Sequence, residues 1–134
     1  MTDRELITHA IKARERAYAP YSKFRVGAAL LGKSGKVYTG CNVENASYSA
    51  TNCAERTAVF KAVSEGENEF TAIAIVGGSG DKLSSLCAPC GVCRQVLAEF
   101  CNEDFRVILG TEENFKSYLF SELLPYSFGK KDLE

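Results

Sequence analysis

No block of like charge interrupts this chain. Its sixteen Lys and Arg and seventeen Asp and Glu are interspersed to a net charge of -1. The basic stripe with which proteins usually track a nucleic-acid backbone is therefore missing, which argues against a nucleic-acid partner. Long apolar runs are missing too. The longest, around "VGAALL" and "AIAIV", fall well short of the roughly 20 residues that a membrane span needs, and "MTDRELITHA" lacks the makeup of a signal peptide. No repeat or low-complexity tract is present. The single histidine, His9, lies on a predicted helix away from every motif and reads as a surface residue. These absences describe a cytoplasmic protein without a membrane partner. In a reducing compartment its six cysteines read as thiols or metal ligands rather than disulfides.

What is present suffices for one core. With 134 residues, 46% of them apolar, the chain is expected to form a single domain over 1–134. Thr2 and Glu5 have the form of a capping box, and Leu6, Ala10, Ala13 and Ala17 continue at helical spacing until Pro20, which predicts a helix over about residues 3 to 18. "FRVGAALL" and "KVYTGCNV", joined by "GKSG", read as an antiparallel hairpin. After the polar loop "ENASYSATN", Asn52 is placed to cap a helix starting at Cys53, with Gly66 as its stop. "FTAIAIVGG" and "FRVILG" read as buried strands flanking the helix "GVCRQVLAEF", which Pro89 precedes. Strands alternating with helices predict an α/β fold, a three-layer α/β/α sandwich around a mixed five-stranded sheet. Only "TEEN" separates "FRVILG" from "FKSYLF", too little for a parallel crossover, so that last pair is expected to be antiparallel.

The chemistry is concentrated in the cysteines. Cys90 and Cys93 stand at i and i+3 where a helix begins, with sulfurs on one side and a helix dipole that favours thiolate, and this is half of a zinc site. Cys53 opens the other predicted helix, and both helices follow strands at the same end of the sheet. Three thiolates on zinc leave a fourth tetrahedral position for water, which distinguishes a catalytic site from a closed structural one. Glu55, on the same first turn as Cys53, can reach the open face as a proton carrier. Cys-x-Glu, 33 intervening residues, then Pro-Cys-x-x-Cys is the zinc deaminase signature in its three-cysteine form.

With "FRVGAAL", "CNVENASY", "CAERTAVFKAVSEG", "PCGVCRQVLAEF" and "LLPYSF" in this order, the sequence resembles the small, homotetrameric cytidine deaminases over nearly its whole length. The resemblance implies a cytidine deaminase-like fold and hydrolysis of cytidine and 2′-deoxycytidine to the uridine nucleosides with release of ammonia, a pyrimidine salvage reaction. It implies one zinc ion per chain on Cys53, Cys90 and Cys93, with Glu55 catalytic. It also implies that Asn42 and Glu44 hold the ribose hydroxyls, that Phe24 and Phe128 flank the base, and that Ala54 offers backbone to the base edge. Tyr48 would support a neighbouring subunit's site in a homotetramer.

The residues themselves leave some alternatives open. Three thiolates and a hydroxide outweigh the charge of zinc by two, and Arg56, next to Glu55, is placed to offset this by donating to cysteine sulfur; the alternative is a solvated helix charge, which its place on the first turn beside the proposed metal disfavours. Cys87 extends the spacing of three, but Cys101 falls at the wrong distance for an iron–sulfur cluster, and Cys41, Cys87 and Cys101 read as small apolar residues. Glu44 could be an exposed strand-end charge and Asn42 plain turn chemistry. Phe24, Tyr48 and Phe128 could be core or interface aromatics. A binding module with a structural zinc is the rival in another class: it needs a fourth ligand and has no use for Glu55. A deaminase of another substrate is the rival in the same class. Glu44 suits a neutral sugar hydroxyl and would repel a phosphate.

Overall fold

The computed structural model describes residues 1–134. Helix α1, Asp3–Arg14, starts at the expected capping box: Glu5 N donates to Thr2 Oγ1 at 3.1 Å and Thr2 N to Glu5 Oε2 at 3.2 Å. It ends four residues before the predicted end. Tyr18 N donates to Asn42 O and Glu44 N donates to Tyr18 O, so pairing with a distant segment claims this backbone before Pro20 is reached. The buried stripe is Leu6, Ile7, Ala10 and Arg14.

Strands β1, Phe24–Gly32, and β2, Val37–Cys41, form the predicted hairpin, closing through Gly35 at φ 94°, a conformation glycine adopts without strain. Helix α2, Ala54–Ser64, begins one residue later than expected, with Cys53 at the N-cap position. Asn52 is drawn instead into a bridge with Val43, and its Nδ2 donates to Thr57 Oγ1. Strand β3, Phe70–Ser79, helix α3, Gly91–Phe100, and strand β4, Arg106–Gly110, follow, then β5, Phe115–Leu119, and a short helix α4, Phe120–Leu123. No helix is long and apolar enough to cross a membrane.

The sheet order is β2-β1-β3-β4-β5. The two strands flanking α2 are not neighbours: β1 lies between them, antiparallel to both, and only β3 and β4 pair in parallel. Once the hairpin occupies one edge of the long β1, its other edge is free to pair with β3 from Phe24↔Ser79 to Gly32↔Phe70. Because β2 and β3 are both antiparallel to β1, they run in the same direction. Helices α2 and α3 therefore begin at the same end of the sheet, as the sequence pattern predicts. β5 is antiparallel to β4, also as expected.

Alternation along the strands divides the core into two layers. Ala29, Ala72, Ala74, Val76 and Ile108 face Leu6, Ile7 and Ala10 of α1. Ala28, Leu30, Ile73, Ile75, Val107 and Leu109 face Ala58, Val59 and Ala62 of α2 and Leu97 of α3. This is the three-layer sandwich. The approach of α2 to the sheet is set at Gly40, where a Cβ would come within 2.5 Å of Ala54 O and 2.6 Å of Ala58 N. The atoms in the way are helix backbone and cannot swing aside. Gly40→Ala is expected to destabilise the fold by at least the ~1–3 kcal/mol typical of overpacking, read by denaturant unfolding, and to lower zinc retention because the displaced turn carries Cys53.

Candidate metal and catalytic site

Two cysteines occupy equivalent positions on two helices. Cys53 is the N-cap of α2 and Cys90 the N-cap of α3, both with extended backbone, and neither side chain caps its own helix. A Ser or Asp at that position would turn back onto the first-turn amides; these sulfurs are left free to face each other. Cys53 Sγ lies 3.9 Å from Cys90 Sγ, and Cys90 Sγ 3.6 Å from the buried Cys93 Sγ, one turn into α3. Ligands about 2.3 Å from a tetrahedral zinc stand about 3.8 Å apart, so the observed spacings fit a single zinc ion. All three sulfurs lie within 4.8 Å of one another, and no fourth His, Cys, Asp or Glu joins them. The set is short by one ligand, the arrangement of a catalytic rather than a structural centre.

The electrostatics suit a metal. The Cys53 thiol is brought down to about 5, first by a hydrogen bond from the Cys93 thiol and then by Arg56, while Cys93 is raised by the same sulfur contact and by burial. Arg56 Nη2 lies 3.4 Å from Cys53 Sγ and 3.4 Å from Thr51 O, so its guanidinium faces the thiol set. Its own pKa is raised, chiefly by that thiolate. Glu55, only 5% exposed, is raised to about 7, mainly by burial, with its own backbone amide pulling the other way. A carboxyl held near neutrality is suited both to accepting and to releasing a proton.

Cys87 stands outside the sulfur group. A Cβ on Gly77 would meet Cys87 Sγ at 2.6 Å and the Phe24 ring at 3.0 Å, so thiol and ring close over that glycine at the end of β3. Burial raises the Cys87 thiol to about 11 and the Cys101 thiol to about 12, and it raises Cys41 as well, so all three are kept protonated.

The residues assigned to substrate fall into two groups. Phe24, Asn42, Glu44 and Tyr48 gather near the ends of β1 and β2. Asn42 is buried, its Oδ1 accepting from Val26 N at 2.8 Å and its Nδ2 donating to Phe24 O at 2.9 Å. One N–H and one lone pair remain for a ligand. Glu44 is bound by the turn before β1 and held below the usual carboxylate range, first by the Ser22 hydroxyl. Ala54 is buried at the first position of α2, its carbonyl against Gly40 and its amide among those a helix leaves unused. Tyr48 is 78% exposed, edge-on to Tyr21 at 6.4 Å. Phe128 is placed elsewhere, 57% exposed, its carbonyl accepting from Gln95 Nε2 beside a cavity of about 270 Å³. The largest cavity, about 660 Å³ between α3 and residues 120–131, contains none of the site residues.

Two anchors escaped the sequence reading. The Arg14 guanidinium, from the far face of the sheet, donates to the carbonyls of Arg25 at 2.9 Å, Gly78 at 2.7 Å and Gly80 at 2.6 Å, tying the start of β1 to the end of β3. Ser22 holds Glu44. An arginine on the buried stripe of α1 was a readable signal for the first; nothing local signals the second.

A three-sulfur, single-zinc pocket with a buried carboxyl at two helix starts defines a zinc-dependent hydrolytic enzyme. Comparison with known proteins makes this particular. Residues 1–111 match the family model described as the cytidine and deoxycytidylate deaminase zinc-binding region. The cytidine deaminase of Sporosarcina psychrophila is 52% identical over 96% of this chain and 93% of that protein. The crystal structure of cytidine deaminase from Burkholderia pseudomallei superposes with a TM-score of 0.88 at 48% identity, covering 96% of this chain and all of that one. That from Mycobacterium tuberculosis gives 0.81 at 39% identity, over 96% and 98% of the two chains. The chain belongs to the cytidine deaminase family.

The three-sulfur set makes a direct prediction. Replacing Cys53, Cys90 or Cys93 by Ala should strip the metal, whereas Cys87→Ala should keep about one zinc per chain. Metal analysis of the purified variants reads both, and loss of zinc from the Cys87 variant would rule out the three-ligand set.

Proposed function

We propose that residues 1–134 act as one catalytic unit that hydrolyses cytidine and 2′-deoxycytidine to the uridine nucleosides and ammonia, with zinc held by Cys53, Cys90 and Cys93. The observation that carries this reading is a buried Glu55 two residues from Cys53 of an incomplete thiol set, in a chain of this family. Zinc supplies Lewis acidity there, making a water molecule acidic enough to lose a proton near neutral pH.

Glu55 moves the protons. Its carboxylate receives one from the attacking water and delivers it to N3 of the cytosine ring. It then takes the remaining proton from the new C4 hydroxyl and passes it to the amine, which leaves as ammonia while C4 becomes the carbonyl of uridine. Arg56 donates to Cys53 and tempers the excess thiolate charge, aided by the two helix N-termini. Asn42 and Glu44 take the sugar hydroxyls, and the Ala54 amide meets the base edge. Phe24 lies against one side of the base.

The second side of the base and the outer wall come from neighbouring subunits of a homotetramer. Tyr48 and Phe128 support this by their exposure, since neither has a covering surface within its own chain. Even charge balance and an acidic sugar subsite fit a free nucleoside in cytoplasmic pyrimidine salvage.

Glu55→Gln keeps the shape but cannot carry a proton. It should hold zinc at the parent level and lose about 10⁴-fold or more in turnover, measured from uridine formation. A variant that retained zinc and stayed within tenfold of the parent would contradict the proton-carrier role of Glu55. Phe128→Ala should raise the Michaelis constant for cytidine by an amount equivalent to about 1–3 kcal/mol of stacking, with the assembly mass unchanged in sedimentation. An unaltered Michaelis constant in a tetrameric variant would remove Phe128 from the site.

A further inference from the structure

Glu44 lies just beyond β2, past the two isolated bridges that Val43 makes with Tyr18 and Asn52, so no ladder orients its side chain. The turn before β1 does so instead. Oε1 accepts from Tyr21 N at 3.0 Å and Ser22 N at 3.1 Å, and Oε2 accepts from Ser22 Oγ at 2.5 Å. Lys23 adopts φ 62°, the left-handed conformation, within this turn. Ser22 Oγ in turn accepts from Phe24 N at 3.0 Å. A hydroxyl carries one proton, and here it goes to the carboxylate rather than to Phe24 O at 3.5 Å. The chain of bonds Phe24 N–H to Ser22 Oγ–H to Glu44 Oε2 thus joins the backbone of the base-flanking aromatic to the sugar-binding carboxylate. With three of roughly four acceptor positions used, Glu44 keeps one for a ligand hydroxyl. It lines a cavity of about 360 Å³ together with Asn45, Tyr48 and Thr51.

We propose that Ser22 is a positioning residue for nucleoside recognition: its hydroxyl fixes the Glu44 carboxylate for the sugar hydroxyls and links that subsite to Phe24. The proposal rests on the sugar-binding reading of Glu44 given above. A carboxylate held beforehand in its binding rotamer loses less freedom when substrate arrives, so the effect falls on binding rather than on chemistry.

Steady-state kinetics on the zinc-loaded enzyme test this with two substrates, cytidine and 2′,3′-dideoxycytidine, which lacks both ring hydroxyls. Ser22→Ala should raise KM for cytidine about tenfold, the scale of one hydrogen bond to a charged group, with kcat within about twofold. Ser22→Thr, which keeps the hydroxyl, should stay near the parent. KM for the dideoxynucleoside should scarcely change on Ser22→Ala, and adding Ser22→Ala to Glu44→Gln should have no further effect on cytidine. Equal losses on both nucleosides, or additive losses in the double variant, would show that Ser22 acts on the fold and not through Glu44. If Glu44→Gln raises KM for cytidine and Ser22→Ala does not, the positioning role alone is overturned. If Glu44→Gln leaves KM unchanged, the sugar-binding reading fails first and the proposal fails with it.

Discussion

Three thiols held within 4.8 Å of one another set the terms for the rest of the structure. Once ionised they repel, and one zinc ion cannot balance three thiolates and a hydroxide. The fold offsets that charge with parts that cost little to supply. Two of the sulfurs sit on helix N-caps, where the positive ends of two dipoles converge, and Arg56 donates into Cys53 from the same first turn. The same turn buries Glu55, and that burial raises its carboxyl to about 7. The charge around both the thiols and Glu55 is therefore shaped by one element, the first turn of α2.

That turn has to be immobile. Gly40 admits α2 against β2 at backbone contact, and Gly77 leaves room for Cys87 and Phe24 at the end of β3. Arg14 crosses from the opposite layer to tie β1 and β3 with three carbonyl contacts, a buried cation whose donors meet fixed dipoles. The end of the sheet where β1 starts and β3 stops is thus clamped from both faces. Glu44 is held differently, by a turn whose amides and one hydroxyl grip its carboxylate. Tyr48 and Phe128 stand exposed at the surface of the chain.

Much of this was legible in one dimension because its determinants are local. The capping box at Thr2, the hairpin around Gly35, the sulfurs three apart on α3 and the Cys-x-Glu pair on α2 are each defined by residues within one or two turns of chain. Such patterns state which groups are available and in what spacing, and here that was enough for the zinc, its thiol cluster and the layered fold.

What only the tertiary structure decided are the pairings between distant segments. Local periodicity placed strands around α2 but could not say that β1 would lie between them, because strand order depends on which edge is free once the hairpin has formed. The early end of α1 and the shift of the α2 cap from Asn52 to Cys53 have the same origin, long-range backbone bonds outcompeting a local preference. Ser22 meets Glu44 across 22 residues and Arg14 meets Gly78 across 64. The residue types alone carry no record of those partners, since hydrogen bonds at such separations are fixed by the register and direction of the sheet. The sequence by itself determined the chemistry of the site; the sheet order decided how its parts are held.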